Sequence, residues 1–126
     1  MTAVRQAFIV DDEEMVRNSL SRLLLAIGVP NTGFASAEAF LASFKGNEEG
    51  CLIVDIRMPG MSGLDLLETL RWRGVTLPAI VITGHTDEGS AKRLERLRVV
   101  GLLEKPFSLP QLKELLSRAI SLDPRP

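Results

Sequence analysis

Acidic side chains follow two apolar stretches of this sequence, and a threonine and a lysine follow two others. These polar residues are Asp11, Asp12, Asp55, Thr83 and Lys105. Two carboxylates about 4 Å apart repel by roughly 4 kcal/mol at an effective dielectric near 20, so three together either take up a proton or need a cation. Carboxylate, carbonyl and phosphate oxygens are the ligands that Mg²⁺ prefers. With a lysine and a hydroxyl beside them, the set predicts phosphoryl transfer by charge neutralisation and positioning.

The residues in question follow short apolar runs, which we interpret as strands. The predicted strands are Ala7–Val10, Thr32–Ala35, Cys51–Val54, Ala79–Ile82 and Val99–Leu103. Three of them are nearly continuous aliphatic stretches, which is typical of a parallel sheet covered by helices on both faces. A sheet with one wet face would instead alternate apolar and polar residues.

Between the predicted strands, apolar residues recur every three or four positions, as on one face of a helix. The first helix carries such a stripe from Val16 to Ile27, Ser36 is a candidate N-cap, and Ser108–Gln111 resembles a capping box. Shorter helices are predicted at about Gly63–Arg71 and about Asp87–Leu97. Five alternations of strand and helix predict an α/β fold with a doubly wound, five-stranded parallel sheet.

In a parallel sheet, all carboxyl ends of the strands lie at one edge. In the strand order 2-1-3-4-5, strands 1 and 3 flank the switch point at which open α/β sheets bind ligands. The acidic residues, the threonine and the lysine should therefore converge on one crevice. The sequence has no P-loop lysine motif, no GxGxxG fingerprint and no nucleophile elbow, so it gives no sign of a nucleotide cradle.

Composition limits the remaining function classes. The chain has 126 residues, which fits one domain. Its net charge of -1 and its lack of tyrosine argue against a basic nucleic-acid-binding face. Cys51 is the single cysteine and excludes an internal disulfide. Because no apolar run has the length of a signal peptide core or a membrane span, we expect a cytoplasmic protein. We assign residues 1–122 to the domain and 123–126 to a C-terminal tail or truncated linker.

Four motifs occur in order along the chain. They are FIVDDE at Phe8–Glu13, VDIRMPGMSG at Val54–Gly63, VITGH at Val81–His85 and EKPF at Glu104–Phe107. Over essentially its whole length, the sequence thereby resembles the receiver domain of two-component response regulators, whose fold is the one predicted above. The motifs SAEAFL at Ser36–Leu41 and TGH at Thr83–His85 resemble those of the FixJ-type subgroup.

The resemblance implies a metal-dependent phosphoacceptor. Asp55 would be the nucleophile that takes a phosphoryl group from a histidine kinase. Asp12 and Asp55 would ligate Mg²⁺ with the backbone carbonyl of Arg57, and Asp11 would help through water.

The resemblance also assigns roles around the phosphoryl group. Lys105 would contact a phosphoryl oxygen, Thr83 would close over it, and the Lys105-Pro106 bond would be cis. His85 and Arg57 would lie at the mouth of the crevice, where they could modulate water attack on the phosphorylated aspartate.

Partners follow from the same resemblance. The phosphoryl donor would be a sensor histidine kinase or a phosphotransfer protein, and an output domain of the LuxR helix-turn-helix type would lie outside this chain. A phosphorylation-dependent homodimer is also open. The domain would act as a signalling switch that catalyses its own phosphorylation and hydrolysis, without binding nucleic acid or membrane itself.

Other interpretations remain open from the sequence. Asp11 and Asp12 could merely cap the first helix, the domain could be a constitutive interaction module that does not use its pocket, and a flavin carrier shares the topology. The sequence also departs from the receiver pattern, with Leu102 where an aromatic residue is common and Arg98 where a glycine is usual. We further expect Trp72 to be a partly buried packing residue, and the basic residues of the fourth helix to form a solvated face.

Overall fold

The computed structural model describes residues 6–46, 48–84 and 88–122, and within them five parallel strands form one sheet. The strands are β1 (Ala7–Val10), β2 (Asn31–Phe34), β3 (Cys51–Asp55), β4 (Ala79–Thr83) and β5 (Gly101–Glu104). Their order across the sheet is β2-β1-β3-β4-β5, and every neighbouring pair is parallel. The predicted fold class and strand order are therefore confirmed.

Each strand is followed by a helix, and several helices begin as the sequence predicts. The helices are α1 (Glu14–Ala26), α2 (Ala37–Ser43), α3 (Gly63–Trp72), α4 (Glu88–Leu97) and α5 (Leu109–Leu122). Ser36 caps α2 by accepting a hydrogen bond from the backbone N–H of Ala39 at 3.0 Å. Before α5, the Ser108 backbone N–H donates to the Gln111 side chain at 2.8 Å, which confirms that part of the predicted capping box.

The sheet separates two apolar cores, because successive side chains of a strand point to opposite faces. Phe8, Val10, Leu52, Val54 and Val81 face α2, α3 and α4. Ala7, Ile9, Cys51, Ile53, Ile80 and Ile82 face α1 and α5. The three central strands are buried along their whole length, as their aliphatic runs predict. Cys51 is a buried, apolar part of this packing, and burial raises the pKa of its thiol to about 12.

Strands β2 and β5 have boundaries that differ from the predicted ones. β2 is shifted one residue towards the N-terminus, and β5 begins at Gly101 rather than Val99. The reason for the late start of β5 is local: Arg98 has a φ of +54° in the turn after α4, and the sheet pairing starts only at Gly101, opposite Ile80. Arg98 thus has the left-handed backbone that glycine adopts most easily, at the position where the receiver pattern that this sequence resembles usually has a glycine.

The prediction for Trp72 is wrong, since its side chain is 88% exposed. Helix α3 buries Leu64, Leu67 and Leu70 on one face. Trp72 comes two residues after Leu70, a rotation of about 200° around a helix of 3.6 residues per turn, and therefore lies on the opposite face.

Helices α3 and α4 are joined by an ion cluster of Asp65, Glu68 and Arg93. The Arg93 guanidinium lies 3.0 Å from an oxygen of Asp65 and 2.8 Å from an oxygen of Glu68. One residue of the basic group on α4 is therefore paired with α3 rather than only solvated. None of the described helices is long and apolar enough to cross a membrane.

Candidate functional site

The turn after β1 places Asp11 at the carboxyl edge of the sheet. Its side chain is fully buried, and its Oδ1 accepts a hydrogen bond from the backbone N–H of Glu13 at 2.8 Å. Its Oδ2 is also buried and has no hydrogen-bond donor among the described residues. The Arg17 guanidinium donates to the Asp11 carbonyl at 2.7 Å and thereby ties α1 to the end of β1.

Asp55 is the last residue of β3 and is 6% exposed. Its Oδ1 accepts from the backbone N–H of Arg57 at 3.2 Å, which turns the chain directly after the strand. The start of α3 packs against this turn so closely that a β-carbon on Gly63 would clash with the Asp55 carbonyl oxygen. The Arg57 N–H thus orients the Asp55 carboxylate, and the close approach of α3 holds the backbone that carries it.

The end of β5 brings a cation to this carboxylate. Lys105 Nζ lies 3.7 Å from Oδ2 of Asp55 and 3.3 Å from Oε1 of Glu13. The Lys105 backbone N–H donates to the carbonyl of Thr83 at 3.0 Å, which connects the ends of β5 and β4. The Lys105-Pro106 peptide bond is cis, as expected.

A cavity of about 280 Å³ opens beside Asp55 and Lys105. Thr83, whose side chain is buried, forms part of its wall, and Arg57 lies exposed at its rim. Its lining residues are Glu13, Asp55, Ile56, Arg57, Thr83, Gly84 and Lys105. A tetrahedral oxyanion attached to Asp55 would meet the lysine ammonium and the threonine hydroxyl in this space.

The carboxylates of Asp11, Asp12 and Asp55 form one acidic group. Each offers an oxygen, and these oxygens all lie within 4.8 Å of one another. At that distance two full negative charges repel by about 3.5 kcal/mol at an effective dielectric of 20.

The protonation equilibria reflect this crowding. Burial, reinforced by the charge of Asp55, raises the pKa of Asp11 to about 6. Burial also raises the pKa of Asp55, although Lys105 opposes the shift. For Lys105, desolvation lowers the pKa, but Asp55 and Glu13 outweigh it and the pKa is raised.

The same three carboxylates fit a divalent cation. Mg²⁺ holds its oxygen ligands at about 2.1 Å, so two oxygens on one ion are at most about 4.2 Å apart, and these oxygens, within 4.8 Å of one another, would move closer together to share one ion. A bound cation would also give the buried, unpartnered oxygen of Asp11 a partner. The donor set is entirely oxygen, which suits a hard ion rather than zinc or copper.

The structure brings Asp11, Asp12, Asp55, Thr83 and Lys105 to one edge of the sheet, with Arg57 at the rim. The N-cap residue of α1, Glu13, makes no side-chain capping hydrogen bond, and Asp11 accepts from the N–H of Glu13, before the first residue of the helix. The predicted gating residue His85 lies outside the described residues.

The ion pair between Glu13 and Lys105 was not predicted from the sequence. The signal was present, since Glu13 is the third consecutive acidic residue after β1. Arg17 was missed as well, and its position one helical turn after Glu13 was the available clue.

The chain is similar to known proteins along nearly its whole length. Residues 7–117 match the family described as response regulator receiver domain. The transcriptional regulatory protein FixJ of Bradyrhizobium diazoefficiens is 36% identical over 120 residues, which are 95% of this chain and 58% of that protein. The FixJ of Rhizobium meliloti is 43% identical over 111 residues, covering 88% of this chain and 54% of the relative.

A solved structure gives the same result. The crystal structure of FixJ-N is 41% identical, has a TM-score of 0.85, and is covered to 94%, as is this chain. The chain spans little more than half the length of the two FixJ relatives.

Proposed function

The chain belongs to the response regulator receiver domain family, and from this premise we propose that it is a phosphoacceptor switch whose reacting group is the Asp55 carboxylate. The observation that carries this proposal is the juxtaposition at the end of β3. There the Asp55 carboxylate meets the Lys105 ammonium at 3.7 Å, beside two further carboxylates and a cavity.

The proposed reaction is an exchange of one bond for another at phosphorus. A carboxylate oxygen of Asp55 attacks the phosphorus of a phosphohistidine, a P–O bond forms, the P–N bond breaks, and the leaving imidazole takes up a proton. The Lys105 ammonium neutralises charge on the transferred oxygens, and the Thr83 hydroxyl donates to one of them. Hydrolysis reverses the state when water attacks phosphorus and releases phosphate and the free carboxylate.

Asp11, Asp12 and Asp55, with the Arg57 backbone carbonyl, are the groups that would hold Mg²⁺. When bound, the ion neutralises the clustered carboxylates and the incoming phosphoryl oxygens. The remaining contribution is made by the chain itself. The turn at Arg57 orients the Asp55 carboxylate before the donor arrives, and the packing of Gly63 holds the Asp55 backbone.

The proposed donor is a sensor histidine kinase or a phosphotransfer protein. The proposed target is an output domain, in keeping with the transcriptional regulators that this chain resembles over about half of their length. A LuxR-type helix-turn-helix output, a phosphorylation-dependent homodimer and a cytoplasmic location are parts of the same proposal. The family match gives no support to the flavin-carrier alternative.

The decisive experiment is intact-mass measurement after incubation with acetyl phosphate and MgCl₂. The wild-type protein should gain the mass of one phosphoryl group, and the Asp55→Asn variant should gain none. EDTA should prevent the modification and leave the fold intact. If the wild-type protein stays unmodified under these conditions, the domain is a constitutive interaction module and the proposal is wrong.

A further inference from the structure

The loop between β3 and α3, residues 56–62, carries the Arg57 carbonyl that would face the metal. Both ends of this loop are tied down. Oδ1 of Asp55 accepts from the Arg57 N–H at one end, and the Gly63 N–H donates to the Ile56 carbonyl at 2.9 Å at the other. The tip of the loop, residues 58–61, extends beyond these closures. Met58 at its start is buried in the apolar core, and the more exposed residues that follow it have one further contact.

That contact comes from Glu38 in the first turn of α2. Its Oε2 accepts a hydrogen bond from the backbone N–H of Met61 at 3.1 Å, across 23 residues of sequence. Gly60 has a φ of +76°, and a β-carbon there would lie 2.8 Å from the same oxygen. The carboxylate is therefore seated directly against the Gly60–Met61 peptide, in space that only a glycine leaves open.

Two further features hold Glu38 and the loop tip in place. Helix α2 is fixed at its start by the Ser36 cap, so the backbone that carries Glu38 is ordered. The Met61 side chain packs against the same apolar core that contains Ala37 and Phe40 of α2. Helix α2 and the loop tip thus share both a polar and an apolar contact.

We propose that Glu38 is a positioning residue for the phosphorylation site: its hydrogen bond to Met61 latches the β3–α3 loop and thereby sets how well the Arg57 carbonyl can serve a divalent cation. This inference rests on the proposed function. Glu38 touches neither the acidic group nor the cavity, and it acts only through the loop.

The test compares Glu38→Ala with Glu38→Gln, which keeps an acceptor oxygen but removes the charge. Glu48→Ala is the matched control, because Glu48 also accepts from backbone N–H groups, those of Lys45 and Gly46, but in the loop that precedes β3. Amide hydrogen exchange at Met61 is measured in the metal-free protein, and MgCl₂ affinity is measured by calorimetry. Urea unfolding of each variant checks the fold.

In Glu38→Ala we expect about fivefold faster exchange at Met61 and MgCl₂ binding weakened about threefold or more, as for loss of one solvent-exposed hydrogen bond of ordinary net strength. Glu38→Gln should stay within about twofold of wild type on both measurements, and Glu48→Ala should match wild type on both.

Three results would overturn the inference. Unchanged Met61 exchange in Glu38→Ala would show that the latch does not order the loop, and unchanged MgCl₂ affinity would show that the loop does not tune the metal. Equal weakening in Glu38→Gln and Glu38→Ala would assign the effect to charge alone. If wild type is phosphorylated on Asp55 but any of these holds, only the latch fails; if wild type neither binds MgCl₂ nor is phosphorylated, the proposed function fails with it.

Discussion

Two charged regions of this molecule are built on opposite electrostatic principles. At the carboxyl edge of the sheet, Asp11, Asp12 and Asp55 bring like charges together, with Asp11 and Asp55 buried and Asp12 exposed, and the Lys105 ammonium offsets part of this charge. Between α3 and α4, the half-exposed cluster of Asp65, Glu68 and Arg93 pairs opposite charges. The first region carries excess negative charge that a cation can neutralise, whereas in the second the carboxylates are already paired with Arg93.

The pKa shifts in the two regions point in opposite directions. Burial raises the pKa of Asp11 and Asp55, while hydrogen bonding to Arg93 lowers the pKa of Asp65. A raised carboxyl pKa means that ionisation weakens the folded state, and a lowered one means that ionisation strengthens it. The comparison therefore predicts how each region responds when its charges are changed.

The largest expected effect is a metal-dependent pH profile of stability. Asp11 has a pKa of about 6 when folded and an ordinary value of 3.8. As the pH rises from about 4 to about 6, the unfolded chain releases this proton first, so the free energy of unfolding falls, by at most about 3 kcal/mol.

Saturating MgCl₂ should abolish most of that fall, because metal binding favours the ionised carboxylates. Urea unfolding at a series of pH values, with and without MgCl₂, measures the effect. The difference between the two curves isolates the metal site from the other carboxylates. Curves that run parallel from pH 4 to 8 would contradict the picture of a crowded acidic site.

The second prediction concerns Asp11→Asn. Removing one of three crowded charges should raise the free energy of unfolding in the absence of metal by about 1–3 kcal/mol at pH 8, and should have little effect near pH 3.5, where the carboxyl group is already neutral. The same variant should bind MgCl₂ at least about tenfold more weakly, because it loses a charged ligand. A variant that is destabilised at pH 8 would show that Asp11 is stabilised by its surroundings instead.

The third prediction concerns removal of the Lys105 ammonium beside Asp55. Lys105→Ala should lower the free energy of unfolding at pH 8 by about 1 kcal/mol, since Asp55 then remains buried without its nearby ammonium, and Lys105 itself is partly exposed and screened. The loss should shrink near pH 3.5. Lys113→Ala, which removes an exposed lysine of α5, is the matched control and should change little. Equal losses in both variants would exclude a specific role for the pairing.

The smallest expected effect belongs to the completed cluster. Glu68→Gln should lower the free energy of unfolding by about 0.5 kcal/mol, as for other half-exposed ion pairs, and 1 M NaCl should largely remove the difference from wild type. Glu114→Gln, which breaks the exposed pair with Arg118, is the reference for an ordinary surface pair. A stabilising effect of Glu68→Gln would end the contrast, because neutralising a carboxylate would then help in both regions.

Most of the sheet could be predicted because the aliphatic strands leave few alternatives for a chain of this length. The acidic group, Thr83 and Lys105 follow the carboxyl ends of strands, and parallel topology places all of these ends at one edge of the sheet. The interior of each element was therefore more predictable than its boundary, as the shifted start of β5 at Gly101 shows.

The errors and omissions concern contacts between elements that are distant in sequence. The exposure of Trp72 depends on which residues of α3 meet the sheet, and the contact between Glu38 and Met61 depends on how α2 lies against a loop. Neither spacing nor composition specifies such geometry. Glu13 is intermediate, because its place after β1 was visible but its partner Lys105 is 92 residues away.

The pairing of Asp55 with Lys105 joins the third strand to the fifth, and the residues of the first strand complete the set. During synthesis, a chain whose residue 105 is still inside the ribosome already has its acidic side chains, but Lys105 cannot yet pair with Asp55. Because domains fold as units, competence to receive phosphate should arise in one step, when β5 docks on β4. On the proposed function, a chain whose sheet still lacks β5 would carry the acidic residues but would not accept phosphate.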